Sequence, residues 1–175
     1  MTMTTVRNIL TVAVIAMTVA ACSEKKKNDV IITTKVEKKA PAAPVKMQDY
    51  TQSKTIEWLG NEYMCEVVRT ADDSLSVVKD DGGQKYIDNT IRLVIYRKDG
   101  SVFFQRNFTK ASFDKCLDDD YRKTGILEGF VFDRVDNQEL RFAASVSHPQ
   151  TDEYIPLVVK ISRMGAVSIS RDTVE

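Results

Sequence analysis

From residue 54 onward apolar and polar positions alternate with a period of two, the pattern of strands that bury one face. Residues 54–59 (KTIEWL) and 62–69 (EYMCEVVR) flank Gly60-Asn61 and predict a hairpin. Residues 86–98 (YIDNTIRLVIYRK) and 101–108 (SVFFQRNF) flank Asp99-Gly100, a pair suited to the positive φ angles of a two-residue hairpin turn. Two further pairs follow. Residues 126–134 and 139–146 surround Asp136-Asn137, and residues 154–162 and 166–171 surround Met164-Gly165. Leu140, Phe142, Ala144 and Val146 fall on one face, as do Ile155, Leu157, Val159 and Ile161, and then Val167 and Ile169. Phe103-Phe104 and Phe130-Val131-Phe132 break the alternation, which predicts strands buried on both faces, one of them under a helix. Pro156 is expected at an edge or a bulge, because it lacks the N–H of a ladder residue.

One segment has helical spacing. Phe113, Cys116, Leu117 and Tyr121 share a face, Thr109 or Ser112 can cap the start, and Gly125 is placed to end the helix in a left-handed conformation. Asp118, Asp119 and Asp120 would then lie in its middle or last turn, where the helix dipole disfavours them. Residues 70–84 are rich in turn formers and read as the longest loop. The expected fold is mainly β: an antiparallel meander of about eight strands with one α-helix, curved into a barrel or folded as a sandwich.

The N-terminus follows a different logic. Arg7 precedes a short apolar run over residues 9–18, and small residues follow, the layout of a secretory signal. The run falls short of the about 20 apolar residues that a membrane-crossing helix needs. Val19-Ala20-Ala21-Cys22 resembles the bacterial lipobox, which implies cleavage after residue 21 and acylation of Cys22. Acyl chains would hold the protein at a membrane, since each buried methylene contributes about 0.8 kcal/mol. Ser23 in the next position resembles the outer-membrane choice in lipoprotein sorting.

Composition divides the remainder. Residues 22–50 read as the acylated cysteine and a flexible Lys-, Ala- and Pro-containing linker, within which Val30-Ile31-Ile32 could add a strand to a domain edge. Residues 51–175 read as one domain with its own core. Residues 23–50 carry seven Lys against four acidic residues, whereas residues 51–175 carry 17 basic against 21 acidic. A slightly acidic domain on a slightly basic stalk has no footprint for nucleic acid.

Several phrases mark the domain: Trp58-Leu59-Gly60, Asp88-Asn89, Asp99-Gly100-Ser101 with Phe103-Phe104, Phe108-Thr109-Lys110, Gly125-Ile126-Leu127-Glu128-Gly129 and residues 152–157 (DEYIPL). With them the chain resembles a family of lipoproteins of unknown function from Bacteroides-like bacteria. The resemblance implies an envelope lipoprotein and supplies no catalytic residues.

Candidate chemistry is sparse. Cys65 and Cys116 remain after the anchor and suit either a disulfide or two separate buried thiols. His148 is the sole histidine, so a hydrolase using imidazole would need it, with Asp152 to orient it and Ser145 or Ser147 as nucleophile. No nucleophile-elbow motif accompanies it. One histidine and scattered cysteines make no zinc site, and the acidic pairs do not match a calcium loop, so neither metal nor cofactor is expected. Trp58 and Tyr96 are candidates for a ligand platform. Three functions follow in order: a non-catalytic binding or assembly module on a lipid anchor in the cell envelope, with a small ligand or envelope protein as partner; a small hydrolase built on His148 or loop carboxylates; and a structural subunit of an envelope complex.

Overall fold

The computed structural model describes residues 42–173, so the signal, Val19 to Cys22 and Val30 to Ile32 lie outside the described residues. The first hairpin joins β1 (Tyr50–Trp58) to β2 (Asn61–Ala71). Two short strands follow and pair with each other, β3 (Val78–Lys79) inside the segment that reads as a long loop and β4 (Lys85–Tyr86) just past its end. Next come β5 (Asn89–Arg97), β6 (Val102–Phe108), a 3-10 helix (Lys110–Cys116) and α1 (Asp119–Thr124). The chain then runs through β7 (Ile126–Asp136), β8 (Glu139–Ser147), β9 (Tyr154–Ile161) and β10 (Val167–Arg171). These strands form two open four-stranded antiparallel sheets in the orders β1-β2-β5-β6 and β10-β9-β8-β7, beside the small β3-β4 pair. The mainly β antiparallel meander is therefore present, with ten strands among the described residues and no closed barrel.

The alternating faces meet in one core. Ile91, Leu93 and Ile95 of the first sheet and Leu140, Phe142, Leu157, Val159 and Ile161 of the second belong to a single buried cluster, closed at one side by Phe108 and Phe113. Leu93, Phe142 and Val159 are each 0% exposed. Consecutive burial falls on inner strands instead: in β5 Val94 joins Ile91, Leu93 and Ile95, and in β9 Val158 joins Leu157 and Val159. β6 and β7 are edge strands, so Phe103 and Phe104 are half-buried and Val131 is exposed, against the expectation from their sequence.

Three turns also differ from the pattern reading. Trp58 pairs with Asn61, so the first turn is Leu59-Gly60, with φ of 53° and 74°. The Asp99-Gly100 connection is a three-residue loop in which Gly100 takes the positive φ of 83°, while Arg97 N donates to Ser101 O at 2.8 Å. The β7–β8 turn is Asn137-Gln138, both at positive φ. Pro156 lies in the inner strand β9, opposite Ser145, where the β10 ladder has ended and only the Asp172 N–H reaches its carbonyl. Its missing N–H thus removes one bond at the ladder's end and none from its middle.

The single helix is two. Leu117 is extended (φ −100°, ψ 146°) and separates the 3-10 turn from α1. Asp118 is the N-cap of α1 and its carboxylate accepts from Tyr121 N at 3.0 Å, with Asp119 and Asp120 in the first turn. The acidic run therefore sits at the end of the helix that favours negative charge. Gly125 is not left-handed (φ −78°); an added Cβ would meet Val146 Cγ1 at 2.6 Å and Tyr121 O at 2.7 Å, so close approach requires the glycine.

The domain also begins before residue 51. Val45 bridges Tyr86, with Val45 N donating to Lys85 O and Ile87 N donating to Val45 O at 2.8 and 2.9 Å. Met47 packs against Val78, Tyr86 and Ile126. The last part of the expected linker is therefore a docked segment.

Candidate functional site

A cleft of about 510 Å³ opens where the edge of β7 faces β2 and wraps toward the outer face of β8 and β9. Its floor includes the buried Val67, Ile91 and Phe130, and its rim carries the exposed Tyr50, Val131 and Tyr154. A bulge between Leu127 and Gly129 passes over Glu128 in the β7–β8 register. Glu128 O accepts from Arg69 Nη1 at 2.7 Å, and Gln48 O accepts from Nη2 at 3.0 Å. The Tyr50 ring lies 5.8 Å from the guanidinium carbon. Arg69 Nε is enclosed and meets no hydrogen-bond acceptor among the described residues. The guanidinium thus bonds only neutral carbonyls, through Nη1 and Nη2, with no carboxylate paired to it among the described residues. Gly129 completes the wall, since an added Cβ would lie 2.5 Å from Ser145 Oγ.

A second constellation gathers three of the phrases that mark the domain. Asp88 Oδ1 accepts from Asn89 N and from Leu127 N, both at 2.8 Å, and Asn89 Nδ2 donates to Leu127 O at 2.8 Å. Lys110 Nζ donates to Gly125 O at 2.6 Å and stands 3.8 Å from Asp88 Oδ2. Burial pushes the Asp88 carboxyl above the usual aspartate range, against the two N–H donors and Lys110, which pull it down. Burial likewise lowers Lys110, against the charges of Asp88 and Asp114. Strand pattern did not single out this junction, whose partners lie far apart along the chain. Its hydrogen bonds fasten the β4–β5 corner, the 3-10 helix and β7 to one another, while the buried Asn89 Oδ1 meets no donor among the described residues. Lys110, Arg122 and Lys123 also line an adjoining cleft of about 410 Å³.

The residues proposed for catalysis do not converge. His148 stacks on Tyr121 at 4.0 Å between centroids, with Nδ1 3.3 Å from Glu153 Oε2 and Nε2 3.3 Å from Asp120 Oδ2. The latter approach lacks hydrogen-bond geometry, so Nε2 has no formal partner. These neighbours, with Asp80 and Asp81, line a small pocket of about 190 Å³. Ser145, Ser147 and Asp152 instead line the large cleft, so Glu153 takes the place expected of Asp152 and no serine is bonded to the imidazole. Among the described residues no group of three or more His, Cys, Asp or Glu side chains is arranged to hold a metal ion.

The other candidates are also separated. Trp58 is buried on the inner face, tilted against Tyr63 and Phe103 at 5.2 and 5.3 Å, and its Nε1 donates to Gln138 O at 2.9 Å. Tyr96 follows Ile95 on β5 and lies on the opposite face, so the two rings form no common platform. Cys65 and Cys116 are present as free thiols, the first buried and the second half-buried. Cys65 is a core residue of β2, and burial raises its thiol to about 12.

The model of DUF4738, a domain of unknown function, matches residues 30–169. The chain belongs to this family. The DUF4738 match takes in both sheets, the Asp88 junction and the large cleft, and starts ahead of the described residues. No curated protein matches the chain. Among the described residues of this DUF4738 domain, no helix is long and apolar enough to cross a membrane.

Proposed function

We propose that this DUF4738 protein is a lipid-anchored component of the cell envelope whose domain binds a ligand, without catalysis, in the cleft beside Arg69. The cleft carries the reading. It combines an apolar floor, exposed tyrosines and a guanidinium with no carboxylate paired to it among the described residues, the mixture of apolar surface and few polar groups typical of ligand sites. The lipobox-like Val19-Ala20-Ala21-Cys22 supports the anchor, and the outer membrane is the destination that Ser23 favours. The dispersal of His148, Asp152 and the two serines weighs against a hydrolase.

Two measurements test the halves of this proposal. Metabolic labelling with an alkyne fatty acid should mark the wild type and leave Cys22→Ala unmarked and released from membranes; equal labelling of both forms would remove the anchor. Fragment screening by NMR should concentrate shift changes at Tyr50, Arg69 and Tyr154. A screen whose hits gather elsewhere, or which finds none, would overturn the binding reading.

A further inference from the structure

We infer that the cleft beside Arg69 takes an acidic saccharide, a sugar chain bearing carboxylate groups; this rests on the binding reading above. Three observations point to that chemistry. The first is charge. Arg69 gives its two terminal nitrogens to the neutral carbonyls of Glu128 and Gln48 and has no carboxylate paired with it among the described residues. A guanidinium held in this way keeps its full charge at the cleft wall, and a carboxylate is the partner whose planar geometry it matches.

The second observation is the rim. Tyr50 is 40% and Tyr154 57% exposed, both at the same cleft. A tyrosine ring presents a flat apolar face with a polar tip, which suits the C–H face of a pyranose whose hydroxyls remain in water. The third is the wall between them. Ser145 Oγ accepts from Gly129 N at 3.1 Å and keeps its own O–H to donate, while the Thr151 hydroxyl is engaged with His148 O and Glu153 N, and Asp152 supplies a carboxylate that accepts from sugar hydroxyls. A run of acidic side chains would use Arg69 and could donate backbone N–H groups to Asp152, but it offers no flat C–H face to the two tyrosine rings. Glu128 and Asp152 both line the same cleft and repel a second anion near Arg69, so the site favours a chain with spaced acids over one with contiguous acids.

Isothermal titration of the acylated full-length protein in a neutral detergent, with trigalacturonate, maltotriose and triaspartate as the probes, tests the inference. Trigalacturonate should bind at least tenfold more tightly than either of the others, and its binding should weaken as salt rises. Tyr154→Ala, an exposed position that the fold does not need, should weaken it about tenfold. Arg69→Gln should bring trigalacturonate down to the level of maltotriose. Equal binding of trigalacturonate and maltotriose would overturn the acid preference while leaving a sugar-binding cleft. Equal or tighter binding of triaspartate would overturn the saccharide class. Binding that Tyr154→Ala leaves unchanged would place the sugar elsewhere and overturn the assignment. Failure of all three probes would overturn it as well, whereas the binding reading stands or falls separately on where the fragments gather.

Discussion

Asp88 shows how a single buried side chain can be held for what it accepts more than for its charge. Both backbone N–H groups it satisfies are buried, and a donor left unsatisfied there costs roughly 1–3 kcal/mol. Asp88→Ala should therefore lower the unfolding free energy by about 3 kcal/mol or more, measured by urea denaturation. Asp88→Asn keeps an acceptor oxygen and should cost much less. The sign of the pH effect separates the two roles. The folded-state pKa of Asp88 is raised, so the unfolded state gives up its proton first and the native state holds more protons between the two values. Wild-type stability from this group is then full below the ordinary aspartate range and declines as pH rises through the raised value. In Asp88→Asn that decline should vanish; an unchanged slope would assign it to other carboxylates. Sequence offered Asp88 only as part of one of the phrases that mark the domain, because its partner Leu127 lies far along the chain and the contact is made by folding.

At the level of elements, local chemistry and global twist do not always agree. Leu59 occupies a left-handed conformation at φ 53° in the first hairpin turn, where the Cβ of an L-residue crowds the following carbonyl and costs roughly 1 kcal/mol. It is 44% exposed, so core packing does not hold it there; the register of β1 on β2, with Ile56 opposite Tyr63 and Trp58 opposite Asn61, does. Leu59→Asn should raise stability by about 0.5–1 kcal/mol, read as a higher urea midpoint with an unchanged slope. A fall in the midpoint would mean that the leucine contributes contacts which outweigh its backbone strain. The helix shows the same competition. Phe113 and Leu117 do face the core, yet the helical spacing did not reveal that Leu117 is extended and that Asp118 restarts the turn. An Asp run in a helix is a cap signal as readily as an exposed face, and the extended Leu117 ahead of Asp118 makes it a cap here.

The whole molecule joins two meanders through one core and fastens them at their margins. Trp58 Nε1 reaches Gln138 O, Arg69 reaches Glu128 O, and residues 45–48 tie the β4–β5 corner to the rest. A chain beginning at residue 51 should be less stable than one beginning at residue 42 by about 2 kcal/mol, since it loses the Val45 bridge, the Met47 packing and the Arg69 bond to Gln48. Comparing their thermal or urea midpoints checks this; equal midpoints would return residues 42–50 to the linker. The sequence by itself determined the antiparallel β class, the hairpin partners and the faces of β8 and β9, because strand burial and turn chemistry act over a few neighbouring residues. It also carried the lipobox-like segment, a signal read from residues in order. Only the tertiary structure decided that the strands form two open sheets, that Trp58 and Tyr96 lie on opposite faces, and that Tyr50, Arg69 and Tyr154 share a cleft. Those outcomes depend on contacts between residues far apart in the chain, which alternation along one strand does not encode.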